Sequence, residues 1–160
     1  MNIFHLHKVP KICAEYHCDK HVVKMILETA QMLSTAYQKH CGEDTNLYKP
    51  AYPKHPMTIW VGESVENFNY AHLLGKELGK QYTNRYGKIH KSSTIINLFH
   101  NGRLQNVEDR FPSQYFTPPP QCMPDEYKHK DYITAYKQYY VGEKKRFAKY
   151  TSVDTPDFMC

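Results

Sequence analysis

At 160 residues, with 41% hydrophobic and 23% charged side chains, the chain has the makeup of one globular domain with its own core. A mean hydropathy of −0.72 and the lack of any long apolar run exclude a membrane-spanning segment from the expected architecture. The net charge of +5 with ten histidines leans toward anionic partners, yet no Lys/Arg run marks a nucleic-acid tail.

Residues 2 to 7, NIFHLH, alternate apolar and polar, as a short strand or an extended lead-in would, with His5 and His7 on one side. The opening MNIFHLHKVPK has no leader pattern, so no signal peptide is expected. Pro10 suits the first turn of a helix running to Tyr16. The stretch His17 to Tyr37 then organises the chain. At helical spacing Val22, Val23, Ile26, Leu27, Ala30, Leu33 and Tyr37 form a core face. His17, Lys20, His21, Lys24, Glu28, Gln31 and Thr35 fall opposite. That stripe could hold a phosphate, a base edge or a reacting proton, or could be a plain solvated face. Asp19 lands on the apolar side, either as an N-cap or as a buried carboxylate that needs a cation. Cys41-Gly42 ends this helix, expected over Lys20 to Lys39.

GEDTNLYKPAYPKHP, residues 42 to 56, is a loop. A second long helix is predicted from Pro56 to Tyr86, with Trp60, Ser64, Asn67, Phe68, Ala71, Leu74, Leu78 and Tyr82 near the helical period. Gly75 and Gly79 lower its propensity by about 1 kcal/mol each, which a close helix–helix approach would offset. Ser92 or Ser93 caps a short helix through Phe99, with Gly102 beyond its end. Residues 103 to 131 form a long loop with five prolines, a length usually found where a loop is functional or mobile. A Tyr-rich helix is expected from Asp131 to Tyr150, followed by an irregular tail over 151–160. The expected fold is mainly α: a single-domain helical bundle with a long proline-rich loop. Its core is built on Leu27, Leu33, Trp60, Phe68, Leu74 and Phe147.

The odd count and scattered spacing of five cysteines argue against a disulfide scaffold and for a reducing compartment, hence a cytoplasmic setting. His17 and His21 stand at i and i+4, but Cys18 replaces the Glu of a metalloprotease pattern and no paired C-x-x-C is present, so no metal site is assigned. No Gly-rich phosphate loop appears, and no cofactor is expected. A phosphate-containing ligand, nucleotide or nucleic acid, is the predicted partner, bound by His17, Lys20, His21, Lys24, Arg85, Lys88, His90 and Lys91. Trp60 and Tyr136 are the candidates for base stacking. Basic groups at a helix end also have the bland role of complementing its dipole. Glu28 and His21 are the candidates for general acid or base work. A homo-oligomer stays open.

Several segments, HCDKHVVKMILETAQML, KHPMTIW, YTNRYGKIHK, PPPQCMPDEYK and YKQYYVGEKKRF, resemble a family of small phage-encoded proteins. The layout is similar, more weakly, to the phage pyrimidine-dimer DNA glycosylases. Ala14 to His17 look like the start of their first long helix, and His55-Pro56 and Arg85-Tyr86-Gly87 echo related bacterial sequences. That resemblance implies a helical fold, an N-terminal amine as nucleophile and a Glu on the first long helix. Lys24 stands near that family's Glu position, with Glu28 a turn later. Asn2 favours retention of Met1, whose amine would then sit on a flexible residue. The expectation is therefore a nucleotide binder, with the role of sequestering a host immune signal such as a cyclic dinucleotide. The alternative is a glycosylase or lyase acting on a damaged or modified pyrimidine.

Overall fold

The computed structural model describes residues 1–100 and 107–160. Helix α1 (Pro10–Tyr16) starts on its proline, as the sequence indicates. The chain then breaks: His17 and Cys18 are extended, and α2 (Asp19–Cys41) begins afresh. Helix α3 (Pro56–Glu63) is followed by α4 (Val65–Tyr86), the short α5 (Ser93–Ile96) and α6 (Tyr132–Lys144). The fold is mainly α, with no strand among the described residues. Helices α2, α3 and α4 pack on one another, and α1 lies against α4.

The predicted helix Pro56 to Tyr86 is two helices. Ser64 has φ −151° and ψ 159°, and its hydroxyl accepts the amide of Asn67. A serine read as part of an apolar face is thus an N-cap. The amide of Val65, freed by the break, donates to Ser113 O at 3.0 Å. The last helix also stops earlier than expected, at Lys144, and passes into a 3₁₀ turn over Lys145–Phe147. The predicted third helix is one turn of α5 extended by a 3₁₀ turn over Asn97–Phe99. Gly102, proposed as its stop, lies outside the described residues, as does the start of the proline-rich loop.

The phase of α2 differs from the predicted one. Val22, Ile26, Ala30 and Leu33 are buried as expected, but Val23 is 38% and Leu27 41% exposed. Met25, Thr29, Met32 and Ala36 take their place. The cause is the neighbour: Gly75 of α4 lets the two long helices approach so closely that a Cβ there would lie 3.2 Å from Thr29 Cγ2. Gly79 instead faces Ser93 Oγ of α5, at 2.9 Å. The polar stripe also goes partly inside, with His17, His21 and Thr35 buried.

What covers the stripe is the N-terminal segment. Ile3, Phe4, His5 and Leu6 are all buried, so residues 2–7 run extended through the core with no strand partner. Tyr136 and Tyr140 of α6 close over them, also buried. The proline-rich loop is pinned along 117–122: Trp60 Nε1 donates to Thr117 O at 2.9 Å, Asn67 Nδ2 to Thr117 Oγ1 at 2.9 Å, and Tyr136 OH to Pro120 O at 2.7 Å. Leu33, Trp60, Phe68 and Leu74 are core residues as predicted. Phe147 is half-buried, edge-on to His21.

Candidate functional site

The site is built where the N-terminal segment crosses α2. Asn2 anchors it: its Nδ2 donates to Cys122 O at 3.0 Å, and its Oδ1 accepts the Ile3 amide at 2.8 Å and lies 3.3 Å from Tyr136 OH. Phe4 stacks on His21, with ring centroids 4.6 Å apart and planes 11° apart. Held this way, the Asn2 amide donates to Glu28 Oε2 at 3.0 Å, and the amino nitrogen of Met1 lies 3.8 Å from the same oxygen. Lys24 Nζ stands 3.6 Å from Glu28 Oε1, one turn back on the helix. The Met1 side chain is 4% exposed and that of Glu28 13%, whereas that of Lys24 is 65% exposed. One carboxylate thus faces the α-amine of a residue whose side chain is packed in at one oxygen, and an exposed ammonium at the other.

The surroundings are basic. Lys144 Nζ lies 5.0 Å from the ring centre of Tyr139 and 5.9 Å from that of Phe4, and Lys20 Nζ lies 5.1 Å from that of Phe147. These aromatic faces hold ammonium groups at the rim without neutralising them. His55 lies on the other side. Burial, and then the charge of the Met1 amino group, hold its imidazole below the usual value, against the opposing pull of Glu28.

The predicted ligand residues do not converge. Lys20, Lys24 and Glu28 remain together, and His21 lies beneath them. Tyr140 OH accepts the Cys18 amide at 2.9 Å and hydrogen-bonds with His21 Nδ1 at 2.8 Å. Burial, with the nearby His17, Lys144 and Lys24, pushes the His21 imidazole down to about 3. It is a neutral packing group under the rim. His17 is not on α2; its Nδ1 bonds Cys13 O at 2.7 Å, so the i, i+4 pairing with His21 does not form. Among the described residues no three His, Cys, Asp or Glu side chains are grouped to hold a metal.

Arg85 is buried, bonding Asp19 Oδ1 at 3.0 Å and His17 O at 2.8 Å, so it is the cation that Asp19 requires and not a surface phosphate group. Lys88 and Lys91 are exposed beyond α4, and His90 packs edge-on to Tyr82. Trp60 and Tyr136 are buried with their polar atoms bonded into the proline-rich loop, which leaves no face for a base. Met1, Asn2, His55 and Lys144 were not singled out from composition or spacing. The signal that bore on them was the layout of an N-terminal amine facing a helix Glu. Compared with protein-family models, curated proteins and solved structures, the chain matches none.

Proposed function

We propose that the protein is a DNA glycosylase or lyase of the amine-nucleophile type, acting on a damaged or modified pyrimidine. The observation that carries this reading is the convergence of the Met1 amino nitrogen and the Asn2 amide on one oxygen of Glu28, with the Lys24 ammonium near the other. It has the layout implied by the resemblance to pyrimidine-dimer glycosylases. As a class, α-amines titrate near 8 and lysine amines above 10, so at neutral pH an α-amine is the better nucleophile.

In this reading the unprotonated amine attacks C1′ of the target sugar. The bond from C1′ to the base breaks, and the base leaves with the electron pair and is protonated by water. Glu28 takes the proton from the new ammonium and returns it to the ring oxygen. The C1′–O4′ bond then opens to a Schiff base, which water hydrolyses. The lysine rim supplies phosphate contacts, and the sheltered Met1 side chain preorganises the amine.

Borohydride reduction during incubation with duplex DNA carrying an abasic site or a pyrimidine dimer tests this. A covalent adduct mapped to the N-terminal peptide is expected, with Glu28→Gln slowing its formation. Absence of any adduct defeats the reading, and an adduct on Lys24 moves the nucleophile by one side chain. The competing reading, a phage protein that sequesters a cyclic dinucleotide in the host cytoplasm, draws on the same lysine rim, on the phage resemblance and on five free thiols. It lacks its stacking residues, since Trp60 and Tyr136 are buried. Release of an intact nucleotide from heat-denatured protein, without adduct formation on DNA, would favour it.

A further inference from the structure

A chain end moves freely unless it is tied down. The tie that brings the Met1 nitrogen to Glu28 starts on α6, at the hydroxyl of the fully buried Tyr136. This hydroxyl donates to Pro120 O at 2.7 Å and accepts the Cys122 amide at 3.3 Å. Both bonds go to the backbone of the proline-rich loop. The carbonyl of the same Cys122 accepts Asn2 Nδ2 at 3.0 Å, while Asn2 Oδ1 takes the Ile3 amide at 2.8 Å and lies 3.3 Å from the Tyr136 oxygen. The Asn2 side chain is thus fixed at both of its polar ends. Its backbone amide points at Glu28 Oε2 from 3.0 Å.

The other hold on this segment acts differently. The stack on His21 fixes the ring of Phe4. Residues 2 and 3 lie between that ring and the amine, with two soft backbone dihedrals each, so the stack alone leaves the direction of the amine open. The bonds to Asn2 close it. They are part-buried, where a donor or acceptor that loses its partner carries a desolvation cost.

We propose that Tyr136 is a positioning residue for the Met1 amine: its hydroxyl fixes the 120–122 backbone, that backbone fixes Asn2, and Asn2 turns the amine toward Glu28. The catalytic consequence rests on the amine-nucleophile reading, whereas the positioning does not. Tyr136 acts through the loop and Asn2, not on the sugar. Its ring has a separate task, packing with centroids 5.4 Å from His5 and 6.5 Å from Phe4. Tyr136→Phe keeps those ring contacts and removes only the hydroxyl. Attack by a nucleophile is sensitive to placement, and a displacement of about 1 Å can cost about a hundredfold in rate.

The test uses the full chain as wild type, Tyr136→Phe, Asn2→Leu and the double variant. Leucine keeps the branched shape of asparagine without its polar atoms. In the absence of DNA, labelling of the Met1 amine by a limiting N-hydroxysuccinimide acetate is read from the N-terminal peptide, with the exposed Lys88 as internal standard. Each single variant is expected to label at least about threefold faster than wild type, and the double variant no faster than either, because both changes cut one chain of contacts. On saturating duplex with an abasic site, borohydride trapping should slow about 10- to 100-fold in each single variant and no further in the double. Affinity for a duplex with a tetrahydrofuran analogue, which forms no Schiff base, should stay that of the wild type. A hydroxyl with only a structural role would leave the labelling rate unchanged, or would lower that affinity and the urea midpoint along with the trapping rate. Either result overturns the proposal, as do losses that add in the double variant. A wild type that forms no adduct overturns the amine-nucleophile reading, and the labelling rates then uphold or overturn the positioning on their own.

Discussion

Arg85 shows how a residue's chemistry is decided by what faces it. At the last turn of α4 its guanidinium reaches across to the break between α1 and α2. There it bonds the freed carbonyls of Glu15 and His17 and the carboxylate of Asp19. Burial pushes the Asp19 carboxyl up, but Thr151 and Arg85 outweigh it and hold it below the usual value. Arg85→Met leaves those acceptors without a donor and should destabilise the protein by about 3–5 kcal/mol in denaturant titration. Lys24→Met, at an exposed pair, should cost less than about 1 kcal/mol. The buried imidazoles give a second residue-scale expectation. Burial lowers His5 and His21 to about 3 and His17 and His72 to about 4. Each is neutral in the folded protein and charges on unfolding in acid. Their contribution is intact above about pH 6.5 and is lost as pH falls toward 4, at up to about 1.4 kcal/mol per pH unit per group. Thermal melts at pH 7, 5.5 and 4.5 should show a steadily falling midpoint, and a flat one would contradict the neutral assignment.

At the scale of the element, α2 is the informative case. Its apolar residues cover more of the circumference than one neighbour can bury, so the periodic pattern admits more than one phase. Contact with Gly75 of α4 on one side and the N-terminal segment on the other selects the phase, and Leu27 is left outside. Leu27→Ala should therefore cost less than about 1 kcal/mol, against about 2–5 kcal/mol for the fully buried Leu33→Ala. Equal losses in paired urea titrations would restore the phase read from the sequence. The existence of α1, α2, α6 and a helical stretch over Pro56 to Tyr86 was legible because Pro10, Pro56, Asp131 and the apolar spacing are local signals. The break at Ser64 was not, because serine at a helical position and serine at an N-cap look alike until the Ser113 carbonyl is there to take the freed amide.

For the molecule as a whole, the functional expectation is electrostatic. Lys24 pairs with Glu28, Lys20 stands a turn before Lys24 on α2 and Lys144 stands by Phe4, so in the proposed reading about three phosphates would be neutralised on binding duplex DNA. Affinity should then fall about 40-fold between 50 and 200 mM salt, and Lys144→Ala should reduce the log–log slope by about one. Fluorescence anisotropy over a salt series measures both. A slope near zero would point to a ligand held by something other than this rim. Two of the three lysines were legible in advance: Lys20 and Lys24 share a helix face with Glu28 by spacing alone. Lys144 joins them from α6, more than a hundred residues away.

The sequence by itself determined a mainly α chain with one core, the start of α1 and α3 at their prolines, and the burial of Leu33, Phe68 and Leu74. Each of these follows from forces acting within a few residues: helix caps, proline geometry and apolar spacing. Only the tertiary structure decided that Arg85, Trp60 and Tyr136 are interior groups, and that the Met1 amine meets Glu28. Those outcomes depend on segments far apart in the chain competing to cover the same polar atoms, and local spacing carries no record of which segment wins.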